Sequence, residues 1–160
     1  TSQRARAVTG VLCAERSIIT VCSLALLGGN LIGVEGATQL AAALSRNTSL
    51  CTLNLRSNAI LDAGAVAMAH ACKKNDTLLN LYLGANSIRE EGAVAMAEAL
   101  RANTRLQKLD LQGASIHAKG SRALADALTV SAAARCPGLC TWEIPPPGNI
   151  GGGLAELPPL

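Results

Sequence analysis

The sequence predicts a curved α/β solenoid, with a parallel sheet inside the curve and helices outside. Three observations predict it. The chain repeats itself every 28 residues, and within each unit the apolar spacing changes from two to three-and-four. The interior must also be filled by small or branched aliphatic side chains, because 160 residues contain one Tyr, one Trp and no Phe. Such uniform side chains suit a thin, repeated architecture.

The repeat is carried by many columns in phase. Asn30, Asn58 and Asn86 recur at 28 residues, with Ala114 in the fourth place. Ile32, Ile60, Ile88 and Ile116 keep step, as do Gly36, Gly64, Gly92 and Gly120. Leu40, Met68, Met96 and Leu124 form one apolar column, and Leu44, Cys72, Leu100 and Leu128 another. Asn47, Asn75 and Asn103 close their units. Four units therefore span 22–49, 50–77, 78–105 and 106–133.

Each unit reads as strand, turn, helix. In the second, Leu53 and Leu55 alternate with polar neighbours, which is a strand with one buried face. Ala65, Met68, Ala69 and Cys72 then recur at helical spacing. Gly64 permits close approach of a neighbouring backbone. An Asn at the strand end can donate to and accept from the turns on either side, satisfying amides that no sheet ladder reaches. Ala114 interrupts that ladder, which predicts a looser fourth turn. One strand and one short helix leave an apolar face open, so the units must stack. Strands stack at about 4.8 Å and helices at roughly 8–10 Å, and the mismatch curves the array.

The pattern Leu50-x-x-Leu53-x-Leu55-x-x-Asn58-x-Ile60, followed by the Gly64-Ala65 helix, resembles a leucine-rich repeat. Its length and Gly-Ala helix resemble the ribonuclease-inhibitor class, which includes the repeat domains of NOD-like receptors. Related repeats occur in the Ran GTPase-activating protein. The resemblance implies a horseshoe whose concave sheet binds another protein. The class hosts many unrelated partners, so the fold alone names none. A regulator of a small GTPase like the Ran activator is one alternative, but no residues specific to that activity are matched here. A structural repeat within a larger assembly, held through its helices, is another.

The ends depart from the pattern. Residues 1–21 read as the helical half of a preceding unit, as expected for a fragment or an abbreviated protein. After Ala133 the columns decay, although Leu139, Ile144 and Gly148 stay in frame. Residues 134–160 are expected to form a degenerate C-terminal cap and a flexible Pro/Gly tail.

The candidate site is the concave face. Its outward positions form the columns Leu24, Thr52, Asn80, Lys108 and Leu26, Asn54, Tyr82, Asp110, with Gly28, Arg56, Gly84, Gln112 at the strand ends. Tyr82 and Arg56 stand out, because Tyr and Arg are enriched among residues that dominate interfaces. A four-strand floor measures on the order of 300 Å², below the roughly 800 Å² a standard interface needs per partner. Turn loops or further repeats must contribute.

Other functions find little support. No secretory signal is visible, and the uncharged stretch from Ser17 to Val34 fits the repeat better than a membrane span. A net charge of +3 and basic residues interleaved with acids do not suggest nucleic acid. Six cysteines at irregular spacing suggest reduced thiols in a cytoplasmic protein. Cys72 fills a leucine column, and Cys136 and Cys140 lack the second pair that a zinc site needs. His70 and His117 fall on different faces, so no nucleophilic constellation is assembled. The expectation is a non-catalytic protein without cofactor or metal.

Overall fold

The computed structural model describes residues 23–134. Strands and helices alternate: β1 (Ser23–Leu26), α1 (Gly33–Leu44), β2 (Leu50–Asn54), α2 (Leu61–Lys74), β3 (Asn80–Tyr82), α3 (Glu90–Ala102), β4 (Lys108–Asp110) and α4 (His117–Ala134). The four strands form one parallel sheet in sequence order. The sequence period becomes the sheet register: Leu24 lies beside Thr52, Thr52 beside Asn80 and Asn80 beside Lys108. Leu26, Asn54, Tyr82 and Asp110 align in the same way. The α/β solenoid expected from the sequence is the observed fold. The half-repeat expected at 1–21, and the cap and tail expected over 134–160, lie outside the described residues, apart from Ala134 at the end of α4.

The core lies between the sheet and the helices. Leu53, Leu81 and Leu109 point into it from mid-strand, and Leu40, Met68, Met96 and Leu124 meet them from the helices, all nearly inaccessible to solvent. Small residues set how closely the helices approach. A Cβ added at Gly92 would lie 2.7 Å from Ile88 Cγ2, 2.8 Å from Asp62 Oδ1 and 3.0 Å from Ala65 Cβ. The equivalent addition at Gly64 or Gly120 would meet Ala37 or Ala93 of the preceding helix at 3.0 Å. The glycine column is therefore the helix-packing surface, as its period suggests.

The strand-to-helix turns are held by asparagine. The Asn86 side-chain oxygen accepts from the Asn58 and Ile60 amides of the preceding unit. Its amide donates to the carbonyls of Leu55, Leu83 and Gly84. Asn58 treats Asn30, Ile32, Leu27, Leu55 and Arg56 in the same way. These bonds sustain a costly backbone. Ser57, Ala59 and Leu61 all have left-handed φ, as do Ala85 and Ser87 one unit later, a conformation non-glycine residues adopt at a penalty of order 1 kcal/mol.

The fourth turn differs, as the missing asparagine suggests. Ala114 offers no side-chain acceptor to the Asn86 and Ile88 amides. There Ser115 N–H donates to the Ile88 carbonyl, and Ala114 N–H to that of Leu111. Ala114→Asn should restore the ladder and raise stability by about 1 kcal/mol, or roughly 3 °C in melting temperature. A lowered melting temperature would show that the fourth turn is built for alanine.

Candidate functional site

The concave face is built by the outward positions of four short parallel strands. Strand alternation sends every second side chain away from the core, and the register stacks like positions into rows. Leu24 and Leu26 on β1 are 59% and 67% exposed. Thr52, Asn54, Arg56, Asn80, Tyr82 and Lys108 are half-buried, and Gln112 is exposed. The neutral centre of the floor is internally bonded: Asn80 Nδ2 donates to Thr52 Oγ1 at 3.0 Å, and Asn54 Oδ1 accepts from the Arg56 amide at 3.0 Å.

Asp110 departs from expectation. It occupies an outward strand position, yet it is fully buried and cannot meet a partner directly. Its carboxylate receives Arg56 Nε at 2.5 Å on Oδ2 and the Gln112 amide at 2.8 Å on Oδ1. Arg56 reaches it from two units away, across Gly84. A Cβ at Gly84 would lie 2.9 Å from Asp110 Oδ2 and 3.4 Å from Arg56 Nε. The glycine leaves the space through which the ion pair forms. The sequence places Gly84 in the strand-end column of the concave face but does not reveal this role. The signal was present, since Gly84 sits between Arg56 and Gln112 in one column.

Tyr82 occupies the centre of the resulting cluster. The Arg56 guanidinium carbon lies 5.6 Å from its ring centroid, and Lys108 Nζ lies 5.3 Å from it. Both distances are within the range of cation–π attraction. Two cations and one aromatic ring are thus gathered towards the third and fourth strands, and Leu24 and Leu26 stand at the far edge on the first.

Elsewhere the chemistry is structural. Cys72 is buried in the core as expected, and burial pushes its thiol up to about 12. It remains protonated and unreactive at neutral pH. The expectation of reduced thiols fails at Cys51, which is disulfide-bonded. The irregular cysteine spacing gave no hint of that bond. His70 and His117 are both exposed and lie on different helices. On the helical side, Lys73–Glu98 at 3.1 Å and Arg101–Asp126 at 3.9 Å link successive helices, and such exposed pairs contribute little. No helix among the described residues is long and apolar enough to cross a membrane.

Comparison with known proteins agrees with this architecture. A family model described as "Leucine Rich repeat" matches residues 46–69. That stretch contains the Leu50 to Ile60 pattern. Among solved structures, the chain is similar to actin-binding site 2 of leiomodin-1, with a TM-score of 0.64 and 22% sequence identity, over 80% of this chain and 72% of that one. It is also matched to the tropomodulin C-terminal domain of Caenorhabditis elegans, with a TM-score of 0.48 and 13% identity, over 81% of this chain and 94% of that one. No curated protein sequence matches.

Proposed function

We propose that this chain, a leucine-rich-repeat protein, is a non-catalytic module that docks another protein on its concave sheet. The observation that carries the reading is the cluster on that face. Tyr82 stands between Arg56 and Lys108, and Arg56 is anchored from below by a buried carboxylate. An arginine held in this way loses little conformational freedom on binding, and preorganisation of this kind strengthens association. Leu24 and Leu26 add apolar area at the other end of the floor. The mechanism is reversible docking, with no bond made or broken.

The test compares the parent chain with Leu26→Ser/Tyr82→Ala and with the helix-face variant Glu98→Lys/Asp126→Lys, all matched by circular dichroism. Each is used as bait in a lysate, with purified actin as a defined probe because the leiomodin domain of like fold is an actin-binding site. Binding should weaken by about tenfold or more in the concave variant and persist in the helix-face variant. The opposite pattern would move the site to the helices and favour a structural repeat in a larger assembly.

A further inference from the structure

We infer that the strand-to-helix turns of the first two units form a second docking surface, whose partner is an amphipathic helix with an aliphatic stripe beside basic residues. The inference goes beyond concave docking, because it needs neither Tyr82 nor Arg56. Among the described residues, the large apolar side chains left exposed are Leu24, Leu26, Leu31 and Leu61. All four lie in units one and two. The first two belong to the floor. Leu31 and Leu61, 69% and 46% exposed, stand on the turns beyond it. The repeat requires neither. Their columns read Leu31, Ala59, Ser87, Ser115 and Gly33, Leu61, Arg89, His117, so the fold accepts polar residues in both places. Leucine is also a costly choice there. Leu31 has φ 53° and Leu61 φ 57°. That left-handed backbone belongs to the turn, but a bulky side chain disfavours it. In unit one, Gly33 takes the place of Leu61 at φ 68° without that penalty. Two exposed leucines held against their own preference gain nothing from the fold, and a bound partner supplies the missing contact.

The partner's chemistry follows from what surrounds these leucines. The turn backbone is committed internally. The Gly29 and Gly33 amides donate to the Arg56 and Asn58 carbonyls, and the Leu61 amide to the Asn86 carbonyl. The Asn30 and Ile32 amides donate to the Asn58 side chain. A partner therefore meets side chains rather than a free ladder edge, and a helix, whose own backbone bonds are internal, suits that contact. The charge beside the leucines is acidic. Glu35, in the first turn of α1, is exposed, and among the described residues it has no ion-pair partner. Asp62, in the first turn of α2, turns Oδ1 to the Arg89 and Gly92 amides. The described cations of these two units lie elsewhere. Arg56 is drawn into the floor by Asp110. Arg46, Lys73 and Lys74 stand at the far ends of α1 and α2, roughly 18–21 Å along the helix axes. Arg89, in the third unit, bounds the surface on its other side. A Lys or Arg beside the partner's aliphatic stripe therefore meets Glu35 unopposed.

A displayed library of helix-forming peptides, randomised on one face and selected on the full chain, tests this. Selection should enrich aliphatic residues three or four positions apart, with Lys or Arg beside them. A synthetic peptide of the enriched sequence should bind Leu31→Ser/Leu61→Ser at least about tenfold more weakly than the parent chain, and Glu35→Lys about tenfold more weakly. Binding to the helix-face variant Glu98→Lys/Asp126→Lys should be unchanged. The substituted residues are exposed, and Ser87, Arg89 and Lys119 show polar residues in the same three columns, so the variants should keep the parent's circular dichroism. Glu35→Lys tests the surface with both leucines in place. Peptides that lose binding with Tyr82→Ala but not with Leu31→Ser/Leu61→Ser would overturn this surface and leave concave docking standing. Enrichment of acidic or uncharged peptides would overturn the basic partner, and a library yielding no peptide sensitive to the two leucines would overturn the site. Light scattering that finds a dimer of the parent chain, lost in Leu31→Ser/Leu61→Ser, would make a second copy the occupant and overturn the inference as well.

Discussion

Replacing Asn86 with alanine is expected to lower folding stability by about 4 kcal/mol. Its side chain makes five hydrogen bonds, to the amides of Asn58 and Ile60 and the carbonyls of Leu55, Leu83 and Gly84. The residue is only 1% exposed, so solvent cannot replace those partners. Each net bond contributes about 1 kcal/mol, and each buried group left unpaired adds a penalty of similar size or larger. The bonds also hold the left-handed backbone at Ser57, Ala59 and Leu61, so their loss releases strain that the turn cannot otherwise sustain. Asn30→Ala is the control. Asn30 is exposed and, among the described residues, its side chain donates to the Leu27 and Gly28 carbonyls alone, so it should cost about 1 kcal/mol or less. Urea unfolding of the two variants decides the matter. Equal losses would mean that the ladder is ornamental to stability and that the leucine core alone holds the stack.

Gly92→Val should destabilise the fold by about 3 kcal/mol, through overpacking and loss of a helix cap. The new side chain would start within 3.0 Å of Ala65 Cβ and press on Ile88 and Asp62. Asp62 Oδ1 accepts from the Arg89 and Gly92 amides at 2.8 and 2.9 Å, so an acid of one unit caps the helix of the next. Valine at this position would push α2 from α3 and break the cap together. Glu91→Val, one residue away and exposed, should change the melting temperature by only a few degrees. Comparable melting of the two variants would show that the helices can separate at Gly92 without loss.

The columns of the concave face were legible because a fixed repeat converts sequence distance into lateral neighbourhood. Once Asn30, Asn58 and Asn86 were aligned, Thr52, Asn80 and Lys108 had to lie side by side. The packing role of Gly64 was legible for the same reason. The burial of Asp110 was not, because it depends on how far an arginine two units away can reach. A period treats every residue in a column alike, whereas Arg56 crosses from one column to another over Gly84. The left-handed turn residues were equally hidden. Ala59 and Leu61 disfavour that conformation by themselves, and adopt it because an asparagine 25 to 27 residues later accepts and donates at the right points. The Cys51 disulfide followed from no spacing rule at all.

Among the described residues, the side-chain amides of the column asparagines donate between units in one direction. Asn58 and Asn86 reach back to the preceding turn, and Asn75 and Asn103 reach back to the carbonyls of Leu44, Asn47, Cys72 and Asn75. The stack therefore has a grammatical direction, in which each unit is completed by the one synthesised after it. Truncation ahead of the third unit strips the Asn86 acceptor from the Asn58 and Ile60 amides, whereas removing the first unit leaves those amides bonded.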